Sequence, residues 1–307
     1  MRVGHEVSRR RIARRPLSTL LALSHRLANR LVFARLHAAL GGRLRFAVSG
    51  GAPLSPEIAT FFHAAGILIL EGYGLTESCP VLAFNRIDAF RFGSVGRAVP
   101  GVTLELAPDG EILARGPNVA AGYWRKPAES AEMFGADGWL RTGDIGRLDE
   151  DGFLHIVDRK KDLIVTSGGV NIAPQVIEKL LESDSFISQA LVYGDRRPYP
   201  VALVTVDPDA AARLVRSLGM AWSDQARVAG HPAVRKRVEQ IIEDRNGRLQ
   251  SYARIKKFAV LPAELSEEAG EVTPSQKLKR KRVAEKYADV LESLYHPCPA
   301  LTPAQTI

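Results

Sequence analysis

The segment between Trp139 and Glu178 constrains the fold of this chain more than any other part of the sequence. It reads WLRTGD and, further on, DRKKDLIVTSGGVNIAPQVIE. The order is a carboxylate, an arginine, a pair of lysines and a Ser-Gly-Gly turn. This order suits a surface that grips a nucleotide, followed by a joint about which a second domain swings. The segment therefore predicts two domains, and the pattern of secondary structure changes at the DRKKD joint.

Before the joint, the pattern is that of an α/β domain with a small β subdomain. A helical period covers Leu17–Leu40, and RFAVS at Arg45–Ser49 is typical of a short buried strand. A helix is predicted to begin at Ser55-Pro56, with the serine as its capping residue. A second buried strand, Ile67–Leu70, leads into GYGLTES. From Gly93 to Asp158, short β-like runs separated by Asp-Gly turns predict the β subdomain.

After the joint, strands and helices alternate in the manner of a smaller α+β domain. Strands are predicted over Leu163–Thr166, Gln189–Val192, Val201–Val206 and Phe258–Leu261, and helices from Pro174, around Asp207–Leu218 and over Val234–Tyr252. The expected domains are 1–158, of which 1–40 is a basic helical start, a hinge at 159–162, a domain at 163–296 and a disordered tail at 297–307.

Positive charge is concentrated at the start of the chain. Residues 1–45 hold eleven arginines, no lysine and one acid, Glu6, whereas the formal net charge of the whole chain is +8. Such a segment is typical of a solvated helix face, and contact with an anionic membrane surface is the alternative. Nucleic acid is not expected as a partner, because aromatic residues are not interleaved with the basic ones.

The cysteines and the apolar runs indicate a cytoplasmic protein. Cys79 and Cys298 lie far apart and form no CxxC motif, which argues for a reducing compartment and against structural zinc. No apolar run approaches the roughly 20 residues needed to span a bilayer. Leu17–Ser24 lacks the small-residue cleavage site of a secretory signal. Peripheral contact with a membrane stays open.

Two glycine-rich turns follow the predicted strands of the first domain. SGGAPL at Ser49–Leu54 has adjacent glycines, which let a ligand approach the backbone closely. In EGYGLTES, Tyr73 offers a flat face for stacking a base, Thr76 a hydroxyl for a phosphate oxygen, and Glu77 a hard carboxylate suited to Mg²⁺. The alternative in both places is a turn with no ligand.

Charged residues in three further motifs have the chemistry to hold the rest of a nucleotide. Asp144, after the tight turn of RTGD, can accept both hydroxyls of a ribose, and Arg159 can reinforce that contact through its planar fork. Lys161 lies where the two domains would meet. Lys277 follows a Pro-Ser loop in VTPSQKLKR, which would hold it at the tip of the small domain. A capping aspartate and solvated lysines are the alternatives.

In this order the motifs resemble the adenylate-forming superfamily of acyl-CoA synthetases, the AMP-binding enzymes, and most of all the long-chain fatty-acid–CoA ligases. The matching pieces are GYGLTES, GEILARGPNVAAGYW, GWLRTGD, DRKKDLIVTSGGVNIAP and the lysine of TPSQKLKR. The resemblance implies part of an α/β large domain followed by a mobile α+β carboxy-terminal domain. It also implies that a fatty acid reacts with ATP to give acyl-AMP, from which the thiol of CoA displaces AMP.

The resemblance assigns roles to individual residues. Lys277 would act at the α-phosphate, Thr76 on a phosphate oxygen, and Glu77 as the ligand of Mg²⁺. Lys161 would be the pivot of a domain rotation, and Gly169 would face the pantetheine path of CoA. The residues implied in nucleotide binding are Gly51, Ala52, Pro53, Gly72, Tyr73, Gly74, Leu75, Asp144 and Arg159.

The sequence also departs from the family pattern. The phosphate-binding loop of the form TSGTTGxPKG does not occur, so the chain is expected to need an amino-terminal half and to be inactive alone. Gln276 stands where many relatives have a glycine, and Val176 replaces a frequent acid. Two alternatives remain, a non-catalytic remnant that binds nucleotide or acyl-adenylate, and an aryl- or other acyl-CoA ligase of the same superfamily.

Overall fold

The computed structural model describes residues 2–13, 15–219, 230–274 and 276–296. The tail that was predicted to be disordered, 297–307, and Cys298 lie outside these residues. The chain divides into two compact units, Met1–Lys160 and Lys161–Ile307. Both units combine helices with sheets, which confirms the predicted α/β and α+β classes. Among the described residues, no helix has the length and apolar character needed to cross a membrane.

The first unit begins with helices. They are α1 (Arg2–Ile12), α2 (Thr19–Ala28), a π-helical segment (Asn29–Phe33) and α3 (Ala34–Ala39). The helix predicted over Leu17–Leu40 is thus present, with a π-helical interruption. Three leucines that set its period, Leu20, Leu23 and Leu27, are 78%, 67% and 60% exposed. The apolar row of α2 is therefore not covered by the described part of this unit.

A four-stranded sheet follows these helices. Its strands are β1 (Phe46–Gly50), β2 (Leu68–Gly74), β3 (Val81–Phe84) and β4 (Arg97–Ala98), in that order across the sheet. Helix α4 (Pro56–Ala64) connects β1 to β2, which are parallel, and the other pairs are antiparallel. The predicted start of α4 is confirmed, with Ser55 at the N-cap position and Pro56 as the first residue, but the Ser55 hydroxyl donates to the Glu57 carboxylate (2.6 Å) and does not cap the backbone.

The predicted β subdomain is an antiparallel sheet with the order β5-β6-β7-β8. Its elements are β5 (Thr103–Leu106), β6 (Glu111–Arg115), β7 (Leu140–Leu148), β8 (Leu154–Arg159) and helix α5 (Pro127–Met133). The glycines of the three Asp-Gly turns all have φ between 77° and 84°, a left-handed conformation that favours glycine. Buried Leu82 of β3 packs with Ala114 and Leu140, so this sheet shares a core with the first.

The second unit is built on a three-stranded sheet with helices on both faces. The sheet has the order β11 (Ile187–Tyr193), β12 (Val201–Val206) and β13 (Lys257–Val260), and a hairpin of β9 (Ile164–Val165) and β10 (Asn171–Ile172) precedes it. The helices are α6 (Pro174–Glu182), α7 (Pro208–Ser217), α8 (Pro232–Asn246), α9 (Arg280–Lys286) and α10 (Ala288–Ser293). Every residue of β12 is buried, and its side chains alternate between two separate apolar cores.

Candidate functional site

The carboxyl ends of the parallel strands β1 and β2 lie side by side. Gly50 pairs with Gly72, so the Gly51–Pro53 turn leaves the sheet next to the EGYG segment. The backbone N–H of Leu54 donates to the carboxylate of Glu71 (3.2 Å), which ties the turn to β2. Gly51 has φ +78°, and no atom lies within 4 Å of the place where its Cβ would be. The turn is exposed, and open α/β sheets bind ligands at this edge.

Gly72 and Gly74 are required by packing inside the first unit. A Cβ on Gly74 would lie 1.7 Å from the carbonyl oxygen of Pro80, and one on Gly72 would lie 2.5 Å from the ring of Phe84. Leu75 packs against the core that contains Leu82. The glycines of this motif therefore let β3 approach β2 closely, and their binding role stays a prediction.

Tyr73, Asp144 and Arg159 form one cluster. The Tyr73 hydroxyl donates to Oδ2 of Asp144 (2.7 Å), and Nε of Arg159 lies 3.3 Å from Oδ1 of the same carboxylate. Asp144 and Arg159 are cross-strand partners on β7 and β8. The carboxylate is mostly buried, whereas the guanidinium is half-exposed. The pairing holds a negative charge at a fixed place beside a cation that solvent can reach.

Tyr73 positions the Asp144 carboxylate from the apolar core. Its ring packs against the cores of both sheets. Burial raises the pKa of the phenol well above its ordinary value, and the negative charge of Asp144 raises it further. The hydroxyl therefore stays protonated and acts as a donor to Asp144 across the physiological pH range. The sequence did not indicate this contact, because a tyrosine in a glycine-rich turn is equally compatible with stacking on a base.

Thr76 and Glu77 lie on a 3₁₀ turn, Thr76–Ser78, that follows β2. Thr76 is exposed and Glu77 is half-buried. The hydroxyl of Tyr123 donates to Oε1 of Glu77 (2.5 Å), and this hydrogen bond raises the pKa of Tyr123 to about 12. Sequence reasoning missed the Tyr123 partner, although the residue lies within the AAGYW segment. The hydrogen bond fixes the rotamer of the glutamate.

The Glu77 carboxylate fits Mg²⁺ in the way that ATP-dependent enzymes bind this ion. No group of three or more His, Cys, Asp or Glu side chains suited to a metal occurs among the residues that the structure describes. Mg²⁺, however, is commonly held by one or two carboxylates together with substrate phosphates and water. One hard carboxylate beside the Thr76 hydroxyl is consistent with that mode of binding.

Lys277 lies on the second unit, at the end of a short closed hairpin. Val272 and Leu278 form an isolated antiparallel bridge. Between them, the N–H of Lys277 donates to the Thr273 hydroxyl (3.0 Å), and the N–H of Thr273 donates to the Lys277 carbonyl (2.8 Å). The lysine is exposed. The hairpin therefore presents a long cation to solvent from a fixed backbone.

A buried ion pair anchors the chain just after this hairpin. Arg280, the first residue of α9, donates through both terminal nitrogens to the carboxylate of Glu178 on α6. Glu178 is 5% exposed and also accepts the N–H of Val192 (2.7 Å). Charge-assisted bidentate pairs of this kind fix orientation as well as distance. Glu178 thus connects the Lys277 hairpin to the central sheet of the second unit.

Gln276 occupies a left-handed backbone conformation, with φ +60°. This explains in physical terms why a glycine suits the position before the lysine. A side chain here costs roughly 1–2 kcal/mol. We expect Gln276→Gly to raise the melting temperature of the protein by about 3 °C, measured by calorimetry. Gln250→Gly is the matched control, because φ is −60° there and added backbone freedom should lower stability.

Gly169 lies in the loop between β9 and β10. Its φ is +75°, and a Cβ there would meet no atom within 4 Å. Its N–H donates to the Thr166 carbonyl (2.9 Å), which closes a tight turn. The backbone alone accounts for a glycine here, and the predicted exposure to a pantetheine chain stays a prediction. Lys161 is exposed on a 3₁₀ turn, Lys160–Asp162, at the boundary of the two units.

Comparison with protein families gives two matches that cover most of the chain. A family described as AMP-binding enzyme matches residues 14–124, and the AMP-binding enzyme C-terminal domain matches residues 161–298. The long-chain-fatty-acid–CoA ligase FadD15 of Mycobacterium bovis is 43% identical over 281 residues, which are 90% of this chain and 46% of that protein. The putative fatty-acid–CoA ligase fadD11 of Mycobacterium tuberculosis is 40% identical over 87% of this chain and 47% of its own length.

Solved structures of the same fold resemble the chain over a similar span. The adenylation domain of a carboxylate reductase from Mycobacterium chelonae aligns with a TM-score of 0.70 and 26% identity, over 96% of this chain and 45% of that one. Apo MatB from Rhodopseudomonas palustris aligns with a TM-score of 0.55 and 28% identity, over 81% of this chain and 47% of that one. The chain therefore spans about half the length of the proteins that it matches.

Proposed function

Because this chain belongs to the adenylate-forming superfamily of AMP-binding enzymes, we propose that it is the carboxy-terminal part of a long-chain fatty-acid–CoA ligase. In the first half-reaction, a fatty-acid carboxylate attacks the α-phosphate of ATP and pyrophosphate leaves. In the second, the thiol of CoA attacks the acyl carbonyl and AMP leaves. The products are acyl-CoA, AMP and pyrophosphate.

The Asp144 cluster is the observation that carries the proposal. The Asp144 carboxylate accepts a hydrogen bond from the Tyr73 hydroxyl and pairs with the guanidinium of Arg159. A fixed carboxylate can accept hydrogen bonds from both hydroxyls of a ribose, and a guanidinium beside it can donate to ribose or phosphate oxygens. The turn at Gly51–Pro53 and the EGYG segment are the proposed neighbours of the adenine.

The first half-reaction brings two anions together, so positive charge must be preorganised at the phosphate. We assign that role to Lys277, because its closed hairpin and the Glu178–Arg280 pair hold the backbone from which its exposed side chain extends. When bound with ATP, Mg²⁺ neutralises phosphate charge. Glu77 would hold it, and Thr76 would donate to a phosphate oxygen. For the second half-reaction, the second unit would turn about Lys161 and bring Gly169 towards the pantetheine of CoA.

The same proposal requires an amino-terminal half. Leu20, Leu23 and Leu27 on α2 are mostly exposed, and Val48 on β1 is 59% exposed. Among the residues that the structure describes, β1 pairs only with β2, so one edge of this strand is open there. Exposed apolar rows and open edges are ordinarily covered in native proteins. We propose that this surface is covered by an amino-terminal half, which corresponds to the part of the relatives that this chain does not match.

We propose that the basic start of the chain makes peripheral contact with an anionic membrane surface. Arg9, Arg11 and Arg15 are exposed on or just after α1. Each basic residue near an anionic surface contributes about 1 kcal/mol. We expect replacement of all three by glutamine to weaken co-sedimentation with phosphatidylserine vesicles at least tenfold. Binding to neutral phosphatidylcholine vesicles should not change, and unchanged binding to the anionic vesicles would contradict the assignment.

Titration of nucleotides into the chain tests the ribose site. We expect AMP to bind, and 2′,3′-dideoxy-AMP, which lacks both hydroxyls, to bind at least about a hundredfold more weakly, since each of the two hydrogen bonds to a charged group contributes about 1.5–3 kcal/mol. Isothermal calorimetry measures both affinities. Equal affinities would show that the ribose hydroxyls are not recognised, and the central assignment would then be wrong.

A further inference from the structure

A buried carboxylate of the first unit lies between the proposed ribose site and the joint. Glu111, the first residue of β6, is 6% exposed. One oxygen, Oε2, accepts a hydrogen bond from Nζ of Lys160 at 2.8 Å. Asp109 approaches the same ammonium with Oδ2 at 2.7 Å. Lys160 is thus held by two carboxylates, one of them buried and one half-exposed.

The other oxygen of Glu111 supports the turn that presents Asp144. Its Oε1 accepts the backbone N–H of Gly143 at 3.0 Å. Gly143 has φ +69°, so the chain turns sharply immediately before the aspartate. A second contact braces the same turn, because the Thr142 hydroxyl donates to the carbonyl of Ile112 (2.8 Å). Glu111 and its neighbour on β6 therefore fix the backbone from which Asp144 projects.

The compact first unit ends at the residue that Glu111 holds. Its boundary with the second unit falls between Lys160 and Lys161. Lys160 is anchored through its side chain, and Arg159 through its contact with Asp144. Lys161 is exposed. Among the described residues, its side chain forms no ion pair, whereas those of Arg159 and Lys160 do. Two consecutive side chains are thus tied to the first unit just before the boundary.

We infer that Glu111 is a positioning residue. It fixes the place of the Asp144 carboxylate, which would bind the ribose, and the residue at which the hinge begins. Through Gly143 it holds the Asp144 turn, and through Lys160 it keeps the chain on the first unit up to the joint. Rotation of the second unit then begins at Lys161 and not earlier. The part of this inference that concerns catalysis rests on the proposed function, and the part that concerns the joint does not.

The charges of the three groups favour a persistent contact. The hydrogen bond to Asp109, and then that to Glu111, raises the pKa of Lys160 above its usual value. The same contact with Lys160 lowers the pKa of Asp109. Lys160 therefore stays cationic and Asp109 anionic around neutral pH, so their contact persists there.

Hydrogen–deuterium exchange of the intact chain tests the joint directly. We expect Lys160→Met, which removes the ammonium and keeps the stem, to speed the exchange of amides 160–163 about two- to fivefold, as for loss of a partly exposed ion pair. Glu111→Gln should give a smaller increase there, because Asp109 still holds Lys160, and should leave amides 142–144 unchanged, because its carbonyl oxygen still accepts from Gly143. The double variant should exchange no faster than Lys160→Met alone.

Matched variants separate this effect from general loosening. Lys160→Arg should restore slow exchange, and Lys126→Met, at an exposed lysine of the same unit, should change nothing. Glu111→Ala should speed exchange in both segments. Unchanged exchange at 160–163 in Lys160→Met, or effects of the two single variants that add in full, would overturn the inference.

A second readout connects the joint to catalysis. With an amino-terminal half supplied, Lys160→Met should alter the ratio of thioester formation to adenylate formation at least twofold and leave AMP affinity within twofold. A merely structural role would move both half-reactions together. If this chain without substitutions gives no reaction with the amino-terminal half, that result counts against the proposed function. The exchange result would still decide the role of Glu111 at the joint.

Discussion

Replacing Asp144 by alanine is expected to lower the affinity of the chain for AMP about a hundredfold or more. The carboxylate would accept hydrogen bonds from both ribose hydroxyls, and each bond to a charged acceptor contributes roughly 1.5–3 kcal/mol. Two such bonds correspond to about 3 kcal/mol, which is about a hundredfold in the dissociation constant. Calorimetric titration of AMP into the two proteins measures the difference.

Ligand variants make this prediction specific. In Asp144→Ala, AMP and 2′,3′-dideoxy-AMP should bind with equal affinity, because the group that distinguishes them is gone. Asp144→Asn retains an acceptor for the buried Tyr73 hydroxyl and therefore controls for folding. Asp88→Ala, at an exposed aspartate of the same unit, should leave AMP affinity unchanged. A persistent preference for AMP in Asp144→Ala would contradict the ribose assignment.

Replacing Lys277 by alanine is expected to slow adenylate formation about 100- to 1000-fold in the protein completed with an amino-terminal half. This is the usual loss when one preorganised group that stabilises transition-state charge is removed. Formation of acyl-CoA from supplied acyl-AMP should change by less than about fivefold, because the proposed rotation of the second unit would take the lysine out of the site before that step. Single-turnover assays of the two half-reactions measure these rates.

The neighbouring basic residues provide the control for Lys277. Lys279 is exposed two residues further along the same segment. If the effect is local to the hairpin, Lys279→Ala should retain both half-reactions. Equal losses in the two variants would indicate that the segment contributes only general positive charge. Equal losses of both half-reactions in Lys277→Ala would show that the lysine does not act on the phosphate alone.

Much of the secondary structure could be predicted from the sequence, because burial imposes a pattern on it. The strand Val201–Val206 was predicted with its observed bounds, since all six positions are apolar or β-branched and are buried on both faces. The three Asp-Gly turns could be predicted from the sequence equally well. The exposure of Leu20, Leu23 and Leu27 could not be predicted, because periodicity shows that a helix has an apolar face and not what covers it.

Sequence motifs named the residues of the candidate site but not the contacts between those that lie far apart in sequence. Asp144 and Arg159 stand in sequence motifs, and the register of two antiparallel strands brings them together. The contacts of Tyr73 with Asp144, and of Tyr123 with Glu77, join residues far apart in sequence. Such pairings depend on how two sheets pack, which no local pattern records. Glu111 was missed for the same reason, because its role depends on both Gly143 and Lys160.

The pyrophosphate released in the presence of a long-chain fatty acid, ATP and Mg²⁺ tests the central proposal most directly. It should be measured for this chain alone, for the amino-terminal half of FadD15 alone, and for the two together, with the two halves of FadD15 as the positive control. We predict release only from the combined halves, with palmitate preferred over benzoate, and its loss in Lys277→Ala. No release from the combined halves, when the two FadD15 halves are active, would contradict the proposal.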